Sequence, residues 1–257
     1  ITDSGSASAS SLEDTAEKRF ANPTIGITAI AGDGYINEDE SDTNGFTVTG
    51  SSTNAEGECD ELAGDDCVVT VAIGGVSSTV AVSATDGSWT VTFAAGALAA
   101  VADNTYIATA DVTNDDGAAT TAYFGVILDT ADPSVSETTA VAALANDNTP
   151  NVIITSGEAG TLSYATCTFD SATASSIAAS TATTLTLDAD GGGTGLADAS
   201  YANCKIRVTD DAGNIGSVTL TTFVIDTAVA TPSETTAIST PTNDETPSVV
   251  ITTTQAG

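Results

Sequence analysis

At 257 residues the chain has room for about two domains, and 35 Asp and Glu against 4 Lys and Arg leave it with a formal charge of −31. A field of that sign repels nucleic-acid phosphates and anionic lipid headgroups, so no nucleic-acid partner and no membrane insertion is expected. The chain has no His, which removes Ser-His-Asp and Cys-His catalysis, and with no Met and few aromatics its cores must come from Val, Ile, Leu and Ala.

Residues 1–21 are rich in Ser and Ala and carry Lys18 and Arg19. Too polar to bury a core, they are expected to be a flexible leader or linker, with a short helix over 12–20 as an option. A first domain is expected over 22–129. It opens with a strand at 24–30, an acidic turn at 32–41 and a second strand at 46–49. Strands at 68–73 and 78–83 form a hairpin around Gly74-Gly75, a two-glycine turn signal. Asp86-Gly87 turns the chain into a strand at 88–93, on which Trp89, Val91 and Phe93 share one face. Trp89 reads as a core anchor, with ligand stacking as its lesser alternative. After a crossover at 94–102, strands at 106–112 and 119–128 complete the domain.

The second domain, 130–226, is expected to repeat the plan with strands at 151–155, 161–169, 183–187, 201–209 and 217–225. On the fourth of these Cys204, Ile206 and Val208 share a face, while Lys205 and Arg207 point to water. The cysteines fall as Cys59 with Cys67 and Cys167 with Cys204, one local pair per domain. Without His or CxxC spacing, disulfides are preferred over zinc, and with them an oxidising compartment. Gly191-Gly192-Gly193 lacks the Lys-Ser/Thr of a phosphate loop and reads as a turn.

One stretch occurs twice. Residues 129–160 read DTADPSVSETTAVAALANDNTPNVIITSGEAG and residues 226–257 read DTAVATPSETTAISTPTNDETPSVVITTTQAG, aligned without a gap at an offset of 97. The second copy marks 227–257 as the start of a third, incomplete repeat. Asn146 to Pro150, Glu158 to Gly160, Leu196 to Tyr201, Val208 to Asn214 and Phe223 to Thr227 together resemble the bacterial Ig-like tandem repeats of biofilm-associated giant adhesins and related surface or filament proteins. The resemblance covers about 22–257. It implies an all-β fold of tandem antiparallel Ig-like sandwiches, and Tyr201 then resembles the tyrosine corner of such folds, although three residues before the cysteine instead of two.

Alternating strand direction in such a sandwich sends specific loops to each pole. Asp33, Asn37, Asp39 and Asp103, with the exit residues Asp129 and Asp132, are expected at one end of the first domain. Glu158, Asp210, Asp211 and Asn214 are expected at the facing end of the second. Hard oxygen ligands in that number suit a structural Ca²⁺, although turns favour Asp and Asn on their own account. At the following junction Gln255 replaces the Glu of position 158, so a weaker site is expected there.

The expected function is non-catalytic: an extracellular structural module of an adhesin stalk or of a self-assembling surface filament, stiffened by calcium between domains. Expected partners are further repeats of the same chain or neighbouring identical subunits, with residues 229–257 as the segment for strand addition. The rival is a glycan-binding accessory module of a secreted protein, which needs an exposed aromatic platform. Paired carboxylates leave a glycosidase open by residue type, but every acidic cluster falls in a turn that the repeat explains. No signal peptide, apolar spanning run or Asn-x-Ser/Thr sequon is visible, as expected for an internal or mature part of a longer secreted or cell-surface chain.

Overall fold

The computed structural model describes residues 23–53, 67–83, 86–113, 119–172, 174–238 and 240–254. The expected leader at 1–21 and Cys59 lie outside them. Apart from a π-helical turn at Asp39–Asn44, the regular elements among the described residues are strands. The chain divides into two compact units, one ending at Ala131 and one from Asp132 onward.

The first unit contains β1 Thr24–Ile30, β2 Tyr35–Ile36, β3 Phe46–Thr53, β4 Val68–Ile73, β5 Val76–Ala81, β6 Ser88–Phe93, β7 Asn104–Thr113 and β8 Ala119–Leu128. They form a three-stranded sheet in the order β1-β3-β6 and a five-stranded sheet in the order β2-β8-β7-β4-β5. Pairing is antiparallel throughout except for β2 against β8. Because side chains alternate along a strand, every second residue faces the partner sheet. Phe46, Val48, Trp89, Val91 and Phe93 from one sheet share a core with Val69, Val71, Ile73, Ala108, Ala110, Val112, Val126 and Leu128 from the other. That shared core makes the unit an antiparallel β-sandwich.

Two local features explain its shape. Gly74 and Gly75 both have positive φ, 57° and 87°, as a two-residue hairpin turn with the twist of its strands requires. Gly50 lies opposite Trp89 in the β3–β6 ladder. A Cβ there would run into the indole ring and the carbonyl of Gly26, so the indole occupies the space that a side chain at position 50 would need.

The second unit contains β9 Val135–Thr139, β10 Leu144–Ala145, β11 Asn151–Ser156, β12 Gly160–Tyr164, β13 Thr168–Phe169, β14 Ser176–Ile177 and β15 Thr183–Asp188. It continues through β16 Ala199–Tyr201, β17 Lys205–Thr209, β18 Ile215–Thr219, β19 Phe223–Ile225, β20 Pro232–Thr236 and β21 Val250–Thr253. Its sheets run β13-β15-β11-β9, β14-β12-β17-β18 and β10-β19-β16, with a separate pair β20-β21. Val152, Ile154, Leu162, Leu185, Leu187, Ile206, Val208, Phe223 and Ile225 close one core between the first three.

Three expected strands are each two in the structure. The run expected at 161–169 breaks between β12 and β13, that at 201–209 between β16 and β17, and that at 217–225 between β18 and β19. At every break the chain leaves one sheet for another, which is how a sandwich turns its corners. Cys167 therefore lies in a bend and not on the strand that holds Tyr164, and Cys204 lies just before β17. The disulfide Cys167–Cys204, with Cα atoms 4.9 Å apart, ties two of these bends together. Thr166 adds to the tie: its hydroxyl donates to the carbonyl of Asn203 and accepts the amide of Lys205 at 3.0 Å. At the third bend Glu137 of β9 accepts the amide and hydroxyl of Thr221 at 2.9 and 2.7 Å.

Candidate functional site

Asp33, Asp103, Glu158 and Asp211 lie in turns or bends between strands, Asp210 directly after β17, Asp39 opens the π-helical turn, and Asp129 and Asp132 lie between β8 and β9. In the first unit the parallel pairing of β2 with β8 sets Ile36 beside Leu128, and Asn104 pairs with Leu128 from the other side. Asn37, Asp103 and Asp129 therefore follow or precede adjacent rungs of one ladder. The amide of Asp129 donates to the carbonyl of Ile36 at 3.0 Å, and the Asp129 carboxylate accepts the amide of Ala131 at 3.2 Å. Asp33 accepts the amide of Tyr35 at 3.0 Å.

Asn37 and Glu40 cap each other: the amide of Glu40 donates to the Asn37 side chain at 3.0 Å, and the amide of Asn37 donates to Glu40 at 3.2 Å. Burial pushes Glu40 above the usual carboxylate range against the pull of the Asn37 amide, and the charges of Asp33 and Asp39 add to the rise. A folded-state pKa raised above the unfolded value means that this turn is best held with Glu40 protonated. That contribution is lost as pH rises through the raised value.

In the second unit Asp132 accepts the amide of Ile215 at 3.1 Å, which fastens the incoming chain to the start of β18. Asp210 accepts the backbone amide of Asn214 at 2.9 Å and its side-chain amide at 3.0 Å. Thr161 pairs with Thr209, so the β11–β12 turn with Glu158 stands at the same end of the unit as the β17–β18 turn. Asp132, Glu158, Asp210 and Asn214 share that end, and Asp211 is exposed in the same turn. Among the described residues no group of three or more His, Cys, Asp or Glu is arranged to hold a metal ion within either unit.

The structure also shows hydrogen-bond partners that the sequence reading did not foresee. Asp103 accepts the hydroxyl of Thr130 at 3.0 Å, and Asp198 accepts the hydroxyl and amide of Thr227 at 2.8 and 2.9 Å. Both units therefore clasp the Thr of their terminal Asp-Thr to the Asp that precedes β7 or β16. The corner tyrosine is likewise doubled: the Tyr106 hydroxyl donates to Ala102 at 2.6 Å and the Tyr201 hydroxyl to Ala197 at 3.0 Å. The signal was present in the recurring Asp-Thr and in the shared spacing from Ala-Asp to Tyr, and for Asp103 it was hidden by the metal-ligand reading.

The glycine run at 191–193 is a turn whose amides are already used. Gly191 and Gly193 donate to the fully buried Asp188 at 2.8 and 2.7 Å. The hydroxyl of Thr194 and the amides of Gly192 and Thr194 hold Asp190 below the usual carboxylate range. Beside this turn lies a cavity of about 270 Å³ lined by Thr166, Cys167, Asp188, Leu196 and Tyr201. Trp89 is 3% exposed, so its alternative role in stacking against a ligand is overturned by its place under the first core.

No family model and no curated protein matches the chain. Among solved structures it is similar to a 1.5-MDa bacterial ice-binding adhesin, at 21% identity over 82% of this chain and 68% of that one, with a TM-score of 0.41. It is also similar to a Ca²⁺-stabilised adhesin with which an Antarctic bacterium reaches out and binds ice, at 21% identity over 83% and 52%, TM-score 0.43. A third is a tetra-tandem repeat from the extending region of a large adhesion protein, at 19% identity over 87% and 62%, TM-score 0.26. The chain spans roughly half to two thirds of these proteins' solved lengths. Superpositions below 0.5 bear on neither ligand nor activity, and the sandwich itself rests on the pairing and shared cores above.

Proposed function

We propose that this chain is a non-catalytic structural segment of a repetitive extracellular protein, a stalk or filament that spaces something away from a cell surface. The observation that carries this reading is the doubled exit clasp: Asp103 with Thr130 and Asp198 with Thr227 fix how the chain leaves each sandwich core. A module whose outgoing strand is fastened to its own body passes orientation to whatever follows, which is what serial spacing requires. The disulfide supports an oxidising, extracellular setting. Among the described residues no helix is long and apolar enough to cross a membrane. Electron micrographs of the native protein test the proposal: thin particles or fibres should lengthen by a constant increment per repeat. Compact particles of fixed size would overturn it.

Calcium belongs to the same proposal. Its support is the acidic excess of 35 to 4, a self-repulsion that a divalent cation relieves with the oxygen ligands it prefers. Saturating Ca²⁺ should raise the melting midpoint; at a hundred times the dissociation constant the gain is about 2.7 kcal/mol. Chelation should reverse it, and Glu40→Gln should melt higher than the parent in chelator. A midpoint indifferent to both calcium and chelator removes the ion from the proposal and leaves the stalk standing.

A further inference from the structure

The outer face of the first unit's five-stranded sheet carries an apolar patch that the core does not use. Val126 and Leu128 of β8 are buried, so Tyr123, Gly125 and Ile127 face the other way. Register places Ile107 of β7 opposite Gly125, and Tyr35 of β2 beside Ile127. Tyr123 is 70% exposed and Ile107 62%, and the first core includes none of these four apolar side chains. Apolar residues scattered singly over a surface are ordinary, whereas these are neighbours across three adjacent strands.

Gly125 turns this patch into a site. Glycine weakens the middle of a strand, and its usual reasons there are a bulge, a bend or the close approach of another group. The β7–β8 ladder runs through Gly125 without a register shift, its backbone is not left-handed, and a Cβ would meet nothing within 4 Å. Close approach from outside is the reason that remains. The glycine leaves a floor of bare backbone between Tyr123 and Ile127, with Ile107 along one side. Tyr123 and Tyr35 bracket that floor, about 13 Å apart along the strand direction.

We propose that this face binds a neutral polysaccharide, with one sugar ring stacked on Tyr123 and the next lying over the backbone of Gly125. Charge selects the occupant. Residues 23–131 include no Lys or Arg, so the face offers nothing to an anionic ligand. Asp111 is the one acid on the strands of this sheet, and it already accepts the hydroxyl of Thr121, which leaves little for a basic peptide. A charge of −31 on each chain opposes a second copy. Hydroxyls border the apolar floor, since Thr109 stands opposite Tyr123 and Thr105 opposite Ile127. A sugar ring, flat and C–H-lined on its face and hydroxylated at its rim, matches an aromatic plate flanked by threonines. The first unit alone carries this inference, which adds a lateral binding face to the stalk.

The test is affinity electrophoresis of the full chain in native gels containing hydroxyethylcellulose, laminarin or dextran, with alginate as the anionic comparison. At least one neutral polymer should retard the protein and alginate should not. Tyr123→Ala removes the stacking ring, and Gly125→Val fills the floor with a side chain for which there is open space. Each should weaken retardation by about tenfold or more while leaving the first unit's melting transition in place. Thr47→Ala, exposed on the opposite sheet, should bind as the parent does. The proposal is overturned if no neutral polymer retards the protein, if alginate alone does, or if retardation survives in both Tyr123→Ala and Gly125→Val. A dimer of the parent that Tyr123→Ala dissolves would give the face to a second copy and overturn it equally. None of these results touches the stalk reading, which stands or falls on the micrographs.

Discussion

Replacing Cys167 and Cys204 together by Ser is expected to destabilise the second unit by about 2–5 kcal/mol while leaving the first unit's transition in place. The bridge closes a loop with a sequence separation of 37. For a loop of that size the chain-entropy estimate is about 4 kcal/mol, the cost of the freedom returned to the unfolded chain. Position adds to length. Cys167 and Cys204 sit in two bends where the chain passes between sheets, so losing the bridge releases β12–β13 and β16–β17 from each other at once. The Thr166 hydroxyl, which spans the same bends, retains only part of the tie. In calorimetry the second transition should fall by roughly 10–25 °C. Substitution is the proper tool, since a reductant would also reach Cys67, which is disulfide-bonded in the first unit. A double variant whose two transitions both match the parent would mean that the bends are held by packing alone.

The same bends mark where the fold stopped being legible in the sequence. Strand identity was readable wherever one sheet face is buried, because alternation in 88–93 or 68–73 repeats at the pleat period and Gly74-Gly75 announces its own turn. The corners were not readable. The runs 161–169, 201–209 and 217–225 are β-rich throughout, and what interrupts them is a change of partner sheet, a tertiary event with no local composition. Only Asn203, at φ 63°, carries a backbone trace of it. The acidic positions were legible as turn residues but not in their roles. Asp132 and Asp198 look alike in sequence, yet one fastens the incoming chain to Ile215 and the other the outgoing chain to Thr227. Their partners lie 83 and 29 positions away, beyond the reach of any motif. The third hairpin was legible as a repeat, whereas the exposure of Ile238, Val249 and Ile251 needed the structure.

Trp89→Ala should be the most damaging change in the first unit, at about 3–5 kcal/mol, with Trp89→Phe costing far less. The difference isolates what the residue contributes. Its Nε1 is buried without a hydrogen-bond acceptor, so removing that donor breaks no bond and relieves an unsatisfied group. What holds the unit is the ring's volume, 3% exposed against the backbone of Gly50. The stacked pair Phe46 and Phe93, 4.9 Å between centroids, continues the same face beyond the rung of Val48 and Val91. Gly50→Ala approaches the same packing from the other side. Its methyl would meet the indole and the Gly26 carbonyl, and overpacking of that kind costs about 1–3 kcal/mol. Because the two residues share one contact, their effects should not add. Gly50→Ala should cost less in the Trp89→Ala background than alone, with the remainder set by the Gly26 carbonyl, which no side-chain change removes. Additive costs in the double variant would show that the indole does not rest on Gly50. A Trp89→Phe variant as unstable as Trp89→Ala would show that the indole nitrogen contributes a bond.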